Sequence, residues 1–301
     1  MSTIIVGVDG SERSADAIRF AALLARRARG ELVLANAYPY DDAAVRLDTK
    51  QRHRLRDAAQ TTLDSLRRHV PSGIPVLTST IADRSPARAL HTLAVRDHAS
   101  LIVIGSSHRG TVGRVFIGTT AERVLHGAPC PVAVVPRGEI ATALDTIAVG
   151  WDARPESAAA LNAAVAVALA CGAQLRVVQA LDAPWLSQPA RATWPGLIAD
   201  PHTHERSVRE RLELLVAGLP DDVAAEPVIL HDDPVDALAA QSEDADLLVL
   251  GSRGYGPHRA VLLGSVSGRA LRASACPVIV VPRGVAAPLE RLFRPTVVSR
   301  A

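Results

Sequence analysis

The sequence predicts an α/β protein built as two tandem Rossmann-like domains, each a five-stranded parallel sheet with helices on both faces. The prediction rests on an internal repeat, on regular alternation of strand and helix patterns, and on strands that are apolar without a break. The repeat comes first, because self-similarity at a fixed spacing decides the architecture. Ala128–Gly138, with its core Cys130-Pro131-Val132-Ala133-Val134-Val135-Pro136, returns as Ala275–Gly284 around Cys276-Pro277-Val278-Ile279-Val280-Val281-Pro282. Cys130 and Cys276 stand 146 positions apart, as do Gly105 and Gly251, and Gly118 and Gly264. Val6-Gly7-Val8-Asp9 returns as Val149-Gly150-Trp151-Asp152 at a spacing of 143, so a short insertion separates these points. Domains are expected over 1–138 and 144–284, with a linker near 139–143 and a short arginine-bearing tail over 285–301.

Within the first half the elements follow in order. Thr3–Val8 is a short apolar run that ends in Asp-Gly-Ser, a helix-start signal. Ser14–Arg29 carries Ala17, Ala21, Leu24, Ala25 and Ala28 at helical spacing, and Gly30 is expected to close it. Glu31–Ala37 reads as a second strand and 48–69 as a helix. Pro75–Thr80 is the third strand, Pro86–Asp97 the third helix and Leu101–Ile104 the fourth strand. A helix near Arg114–His126 precedes the strand Val132–Val135. Runs such as Leu101-Ile102-Val103-Ile104 lack polar alternation, as suits parallel strands covered on both faces. The last strands, Val132–Val135 and Val278–Val281, would be exposed apolar edges unless they pair, and are expected to pair with each other.

Composition narrows the function classes. The 301 residues are 48% hydrophobic and 21% charged, too apolar for disorder, and a net charge of +2 gives no general affinity for polyanions. No nucleic-acid partner is therefore expected. Lys50 is the single lysine, so nearly all positive charge is arginine. Three cysteines, Cys130, Cys171 and Cys276, form no CxxC pair and sit among apolar or small residues, as in a reducing compartment. The first residues lack a basic stretch and carry Asp9 early, unlike a signal peptide. The charge-free stretch Ser157–Leu175 is alanine-rich, holds Asn162 and breaks at Gly172, so no membrane span is expected. The expected location is the cytoplasm.

In open parallel sheets, ligands bind beyond the carboxyl ends of the strands, where strand order reverses. Asp9 and Asp152 end the first strands, and Gly105 and Gly251 the fourth. In the second half, Gly251 and Gly254 let backbone N–H groups approach a ligand, and Gly264 with Ser265 and Ser267 sets N–H groups and hydroxyls at a helix start. The pattern G-x-x-G, nine residues, G-[ST] resembles the nucleotide-binding signature of the universal stress protein family. The Val-Gly-x-Asp first strand and the Cys-Pro-Val-x-Val-Val-Pro last strand are similar to that family too, over about 1–138 and 144–284.

The resemblance implies binding of ATP, with Mg, by a stress or dormancy regulator with little or no turnover. It implies that Asp152 faces the ribose, that Ala180 offers backbone to the adenine, and that Gly251, Arg253, Gly254, Gly264, Ser265, Val266 and Ser267 surround the triphosphate. The first-half counterparts are Asp9, Ala37, Gly105, Gly118, Thr119 and Thr120. There His108 stands where the pattern has glycine, which favours tighter binding in the second half. It also implies pairing of the halves within the chain and association of two chains.

Two other classes stay open: an ATP-hydrolysing or adenylate-forming enzyme on the same sheet, and a nucleotide-free interaction module. No G-x-x-x-x-G-K-[ST] occurs, which excludes a P-loop enzyme. Ser106, Ser107 and His108 are neighbours that cannot aim at one another as a triad does, and no G-x-S-x-G elbow exists. His202 and His204 lack a cluster of further ligands. Asp9 and Asp152 could equally cap the following helices. Arg52, Arg54, Arg56, Arg67 and Arg68 read as a solvated helix face, and Trp185 and Trp194 as packing or as a lid.

Overall fold

A computed structural model describes residues 2–40, 49–106, 115, 118–138, 141–181, 201–252, 265–282, 284 and 288–293. The first half runs β1 (Thr3–Gly7), α1 (Glu12–Ala28), β2 (Glu31–Tyr38), α2 (Thr49–Arg67), β3 (Val76–Ala82), α3 (Pro86–Arg96), β4 (Leu101–Gly105), α4 (Thr119–Leu125) and β5 (Val132–Val135). The second repeats it as β6 (Thr146–Gly150), α5 (Pro155–Cys171), β7 (Gln174–Ala180), α6 (Pro201–Ala217), β8 (Ala225–Leu230), α7 (Pro234–Gln241), β9 (Leu247–Gly251), α8 (Ser265–Ala273) and β10 (Val278–Val281). A further helix, α9 (Pro288–Phe293), lies in the segment expected to be a plain tail. Among the described residues, no helix is long and apolar enough to cross a membrane.

All ten strands join in one sheet, in the order β3-β2-β1-β4-β5-β10-β9-β6-β7-β8. Each half is parallel throughout, and the halves meet where β5 pairs antiparallel with β10, as the apolar edge strands predict. Alternate residues of a strand enter opposite cores. Ile4, Val6, Leu101 and Val103 belong to a core that also takes in residues of α1, α2, α5, α6 and α9, whereas Ile5, Ile102 and Ile104 belong to one shared with α3, α4, α7 and α8. A strand buried on both faces has no polar position to spare, hence the unbroken Val/Ile/Leu runs.

The helices start where proline and short polar residues allow. Ser85 accepts a hydrogen bond from the Arg88 N–H, with Pro86 opening α3, and Asp233 accepts one from the Val235 N–H, with Pro234 opening α7. One expectation about termini is corrected. Arg29, not Gly30, takes the left-handed conformation after α1, at φ 50°. Gly30 instead permits close packing, since a Cβ there would lie 2.7 Å from the Ser2 carbonyl. The helix expected over 114–126 begins at Thr119, with Gly118 as its N-cap; residues 114, 116 and 117 are outside the described set.

Hydrogen bonds also tie the halves beyond the shared sheet. The Val115 N–H donates to the Ser274 carbonyl at 2.9 Å. Arg272 of α8 donates to Glu122 of α4 at 2.5 Å. Cys130, Cys171 and Cys276 are free thiols. Cys130 and Cys276 are buried in the second core, and burial pushes both thiols up to about 12.

Candidate functional site

Strand order reverses between β1 and β4 in the first half and between β6 and β9 in the second. Each reversal opens a crevice at the carboxyl ends of the strands. In the first half this is a cleft of about 930 Å³, and Asp9, Ala37, Gly105, Gly118, Thr119 and Thr120 all line it. In the second, Asp152, Ala180, Gly251, Val266 and Ser267 line a cleft of about 150 Å³. Ser265 opens α8 beside it. Arg253, Gly254, Gly264, His108, Trp185 and Trp194 are outside the described residues, and so is the comparison between Gly254 and His108.

Asp9 is held by its own loop. The Ser11 N–H (3.1 Å) and hydroxyl (2.5 Å) and the Ser14 hydroxyl (3.1 Å) donate to one carboxylate oxygen, while Arg13 donates to the other at 2.6 Å. Burial pushes this carboxyl up, but the Ser11 hydrogen bonds, the Arg13 charge and the Ser14 hydroxyl outweigh it, so it titrates below its ordinary value. Its side chain is still 59% exposed and open to the cleft. Asp152 is bound more sparingly, by the Arg154 N–H at 3.1 Å and an ion pair with the Arg154 side chain at 3.6 Å. Neither aspartate is the helix N-cap; those positions are Ser11 and Arg154.

The strand-end glycines have a reason the sequence did not expose. A Cβ on Gly105 would sit 2.8 Å from the Arg13 carbonyl oxygen, and one on Gly251 would sit 2.4 Å from that of Glu156. Glycine lets the first turns of α1 and α5 press against the strand ends. Ser267 also has a use within the fold, since its hydroxyl donates to the Gly251 carbonyl at 2.8 Å.

Several wall residues went unread in the sequence. Arg13 reaches the Ser106 carbonyl at 3.3 Å, and Asn36 donates to the Val8 carbonyl at 2.9 Å. Leu55, Ala58, Ala59 and Thr62 of α2 close the far side of the first cleft. Asn36 neighbours Ala37 at the end of β2, so proximity along the strand was the available signal. The α2 residues had none, because only the tertiary fold brings that helix to the cleft. The buried Ser106 hydroxyl finds no hydrogen-bond partner among the described residues. The described residues contain no group of three or more His, Cys, Asp or Glu that could hold a metal ion.

Two Rossmann-like repeats sharing one sheet, each with a crevice at its switch point, define a tandem α/β protein. The model of the universal stress protein family matches the chain twice, over residues 1–136 and 143–282. The chain belongs to that family. It is similar to a universal stress protein of Mycobacterium tuberculosis H37Rv, at 29% identity over 93% of this chain and 99% of the relative. A second relative, from Mycobacterium tuberculosis CDC 1551, is 31% identical over 92% of this chain and 95% of its own length. Among solved structures, a universal stress protein from Archaeoglobus fulgidus has the same fold at TM-score 0.71 and 20% identity, covering 94% of this chain and 98% of that one.

Proposed function

We propose that the chain binds ATP, with Mg, at the carboxyl edge of its sheet and acts as a cytoplasmic stress or dormancy regulator with little or no turnover. One observation carries this: six separate residues of the nucleotide signature, Asp9, Ala37, Gly105, Gly118, Thr119 and Thr120, converge on a single cleft of about 930 Å³. Ligand pockets for molecules of this class span roughly 300–1,000 Å³. In this reading the Ala37 backbone meets the base, Asp9 the ribose, and Gly118 to Thr120 the phosphates. Mg would be held chiefly by the phosphates themselves, as this cation usually keeps several waters and few protein ligands.

Asp9 is poorly suited to serve as a general base, which supports the low turnover proposed. A carboxylate that accepts four hydrogen bonds and titrates below its ordinary value is a weak general base, far from the operating pH. A dimer of two chains belongs to the same proposal. It would use a surface other than β5 and β10, which already cover each other.

The test is mass analysis of nucleotide released by denaturing the purified protein, followed by calorimetric titration of the stripped chain with ATP and Mg. An adenine nucleotide in the extract, and saturable binding afterwards, are expected. No nucleotide released and no heat at millimolar ATP would sink the proposal. Phosphate release at enzyme-like rates would replace regulation with catalysis.

A further inference from the structure

The half with the complete signature has the smaller cleft. The walls show why. In the first half, Val8 lies at the end of β1 and is almost fully buried, and α2 lines the cleft beyond it through Leu55, Ala58, Ala59 and Thr62. In the second half the repeat places Trp151 at the position of Val8. Trp151 is partly buried against the same hydrophobic core, its backbone N–H donates to the Val178 carbonyl at 2.8 Å, and the residue lines the cleft. Among the described residues, none from α6, the counterpart of α2, reaches that cleft. Trp151 and Val8 thus hold equivalent places in the repeat, each lining the cleft of its own half.

The remaining space decides what can enter. About 150 Å³ is the size of an apolar cavity that holds a benzene ring, half of the roughly 300 Å³ at which pockets for larger ligands begin. We propose that Trp151 closes the second cleft to a whole nucleotide, so that the chain carries one full nucleotide site, in its first half. The second cleft, walled by Trp151, Val178, Leu238, Leu250 and Val266, takes at most a ring-sized apolar group. This rests on the nucleotide proposal above, and it reverses the ranking that Gly254 and His108 suggest. A glycine that spares one backbone contact cannot compensate for a cleft that excludes the ligand.

Exchanging the two residues tests it. Native mass spectrometry with ATP and Mg is expected to give one nucleotide per chain for the natural protein and two for Trp151→Val. The converse variant, Val8→Trp, is expected to bind none, with circular dichroism confirming that it folds. Two nucleotides on the natural chain, or one on Trp151→Val, overturns the inference. If neither protein binds any nucleotide, the proposed ligand is wrong, and a crystal structure of Trp151→Val then judges the steric claim alone. A second cleft enlarged beyond about 300 Å³ supports it; one still near 150 Å³ overturns it.

Discussion

Ala133 and Ile279 lie directly opposite each other in the antiparallel β5–β10 pair, and each is the repeat equivalent of the other. The flanking pairs obey the same exchange, Val132 with Val280 and Val134 with Val278. An approximate twofold axis therefore passes through the Ala133–Ile279 pair, and both side chains are fully buried there. The duplication has built inside one chain what would otherwise be a symmetric interface between two. The axis residues are not a matched pair: a small residue on one strand faces a large one on the other.

Truncating the large member should open a cavity that Ala133 cannot fill. Ile279→Ala is expected to cost about 2–5 kcal/mol, the range for deleting buried aliphatic groups. Urea unfolding followed by circular dichroism reads this directly. A cost below about 1 kcal/mol would mean that the seam is loosely packed and that the sheet does not couple the halves.

Gly251→Ala is expected to destabilise the chain without any ligand present. Its Cβ would lie 2.4 Å from a backbone carbonyl of α5, which can yield only if the helix moves. Overpacking of this kind costs about 1–3 kcal/mol. Gly105→Ala, with its Cβ at 2.8 Å from the Arg13 oxygen, should show a smaller loss of the same kind. Thermal unfolding of nucleotide-free protein checks both, and unchanged midpoints would return these glycines to a role in ligand contact alone.

How far the sequence reveals the molecule follows from which interactions are local. Strands such as Leu101–Gly105 were legible because burial on both faces demands apolar residues at every position. The seam was legible because an apolar edge must be covered. The glycines were found but half explained, since a clash with a helix carbonyl is a contact between distant segments. Trp151 stood in plain view in the repeat, but its consequence is a volume, which no motif records. The α9 helix was missed because six residues are too few to display a helical period.

Ala153→Gly is expected to stabilise the chain. Ala153 sits at φ 61° beside Asp152, while the first half has Gly10 at φ 82° in the same place. The left-handed region costs a residue with a Cβ about 1–2 kcal/mol, and the greater freedom of glycine in the unfolded chain offsets part of that. A net gain of about 1 kcal/mol should appear as a higher urea midpoint. A loss would show that the loop is held in this conformation by something other than backbone preference.

The Asp83–Arg88 pair sets a pH-dependent term. Arg88 donates two hydrogen bonds to Asp83, at 2.7 and 2.8 Å, and the Ser85 N–H adds a third at 2.7 Å. The Arg88 hydrogen bonds, against a smaller opposing effect of burial, hold the carboxyl below its usual 3.8. A depressed folded value means the stabilisation is complete above 3.8 and is lost as the pH falls through that folded value. Asp83→Asn should therefore cost about 1 kcal/mol at neutral pH, modest because the Arg88 side chain is 65% exposed. Unfolding series of both proteins from pH 7 downward should converge in acid; a constant gap would assign the effect to packing.

The last expectation concerns α9, which does more than follow the second domain. Leu289 and Leu292, three positions apart on one helical face, are fully buried in the core beneath α1 and α5. The helix thus touches the first helix of each half, and its Arg291 carbonyl accepts a hydrogen bond from the Ser2 hydroxyl at 3.4 Å. Leu292 also approaches Gly30, its Cδ1 3.6 Å from where a Cβ would stand, so it packs over the turn that joins α1 to β2. Such a clasp contributes through apolar burial and needs no helix propensity of its own, as befits six residues. Leu292→Ala should cost about 2–5 kcal/mol, and ending the chain after Gly284 should cost at least as much. Limited proteolysis combined with urea unfolding reads both changes. A truncated chain as stable as the intact one would show that α1 and α5 are covered well enough without α9.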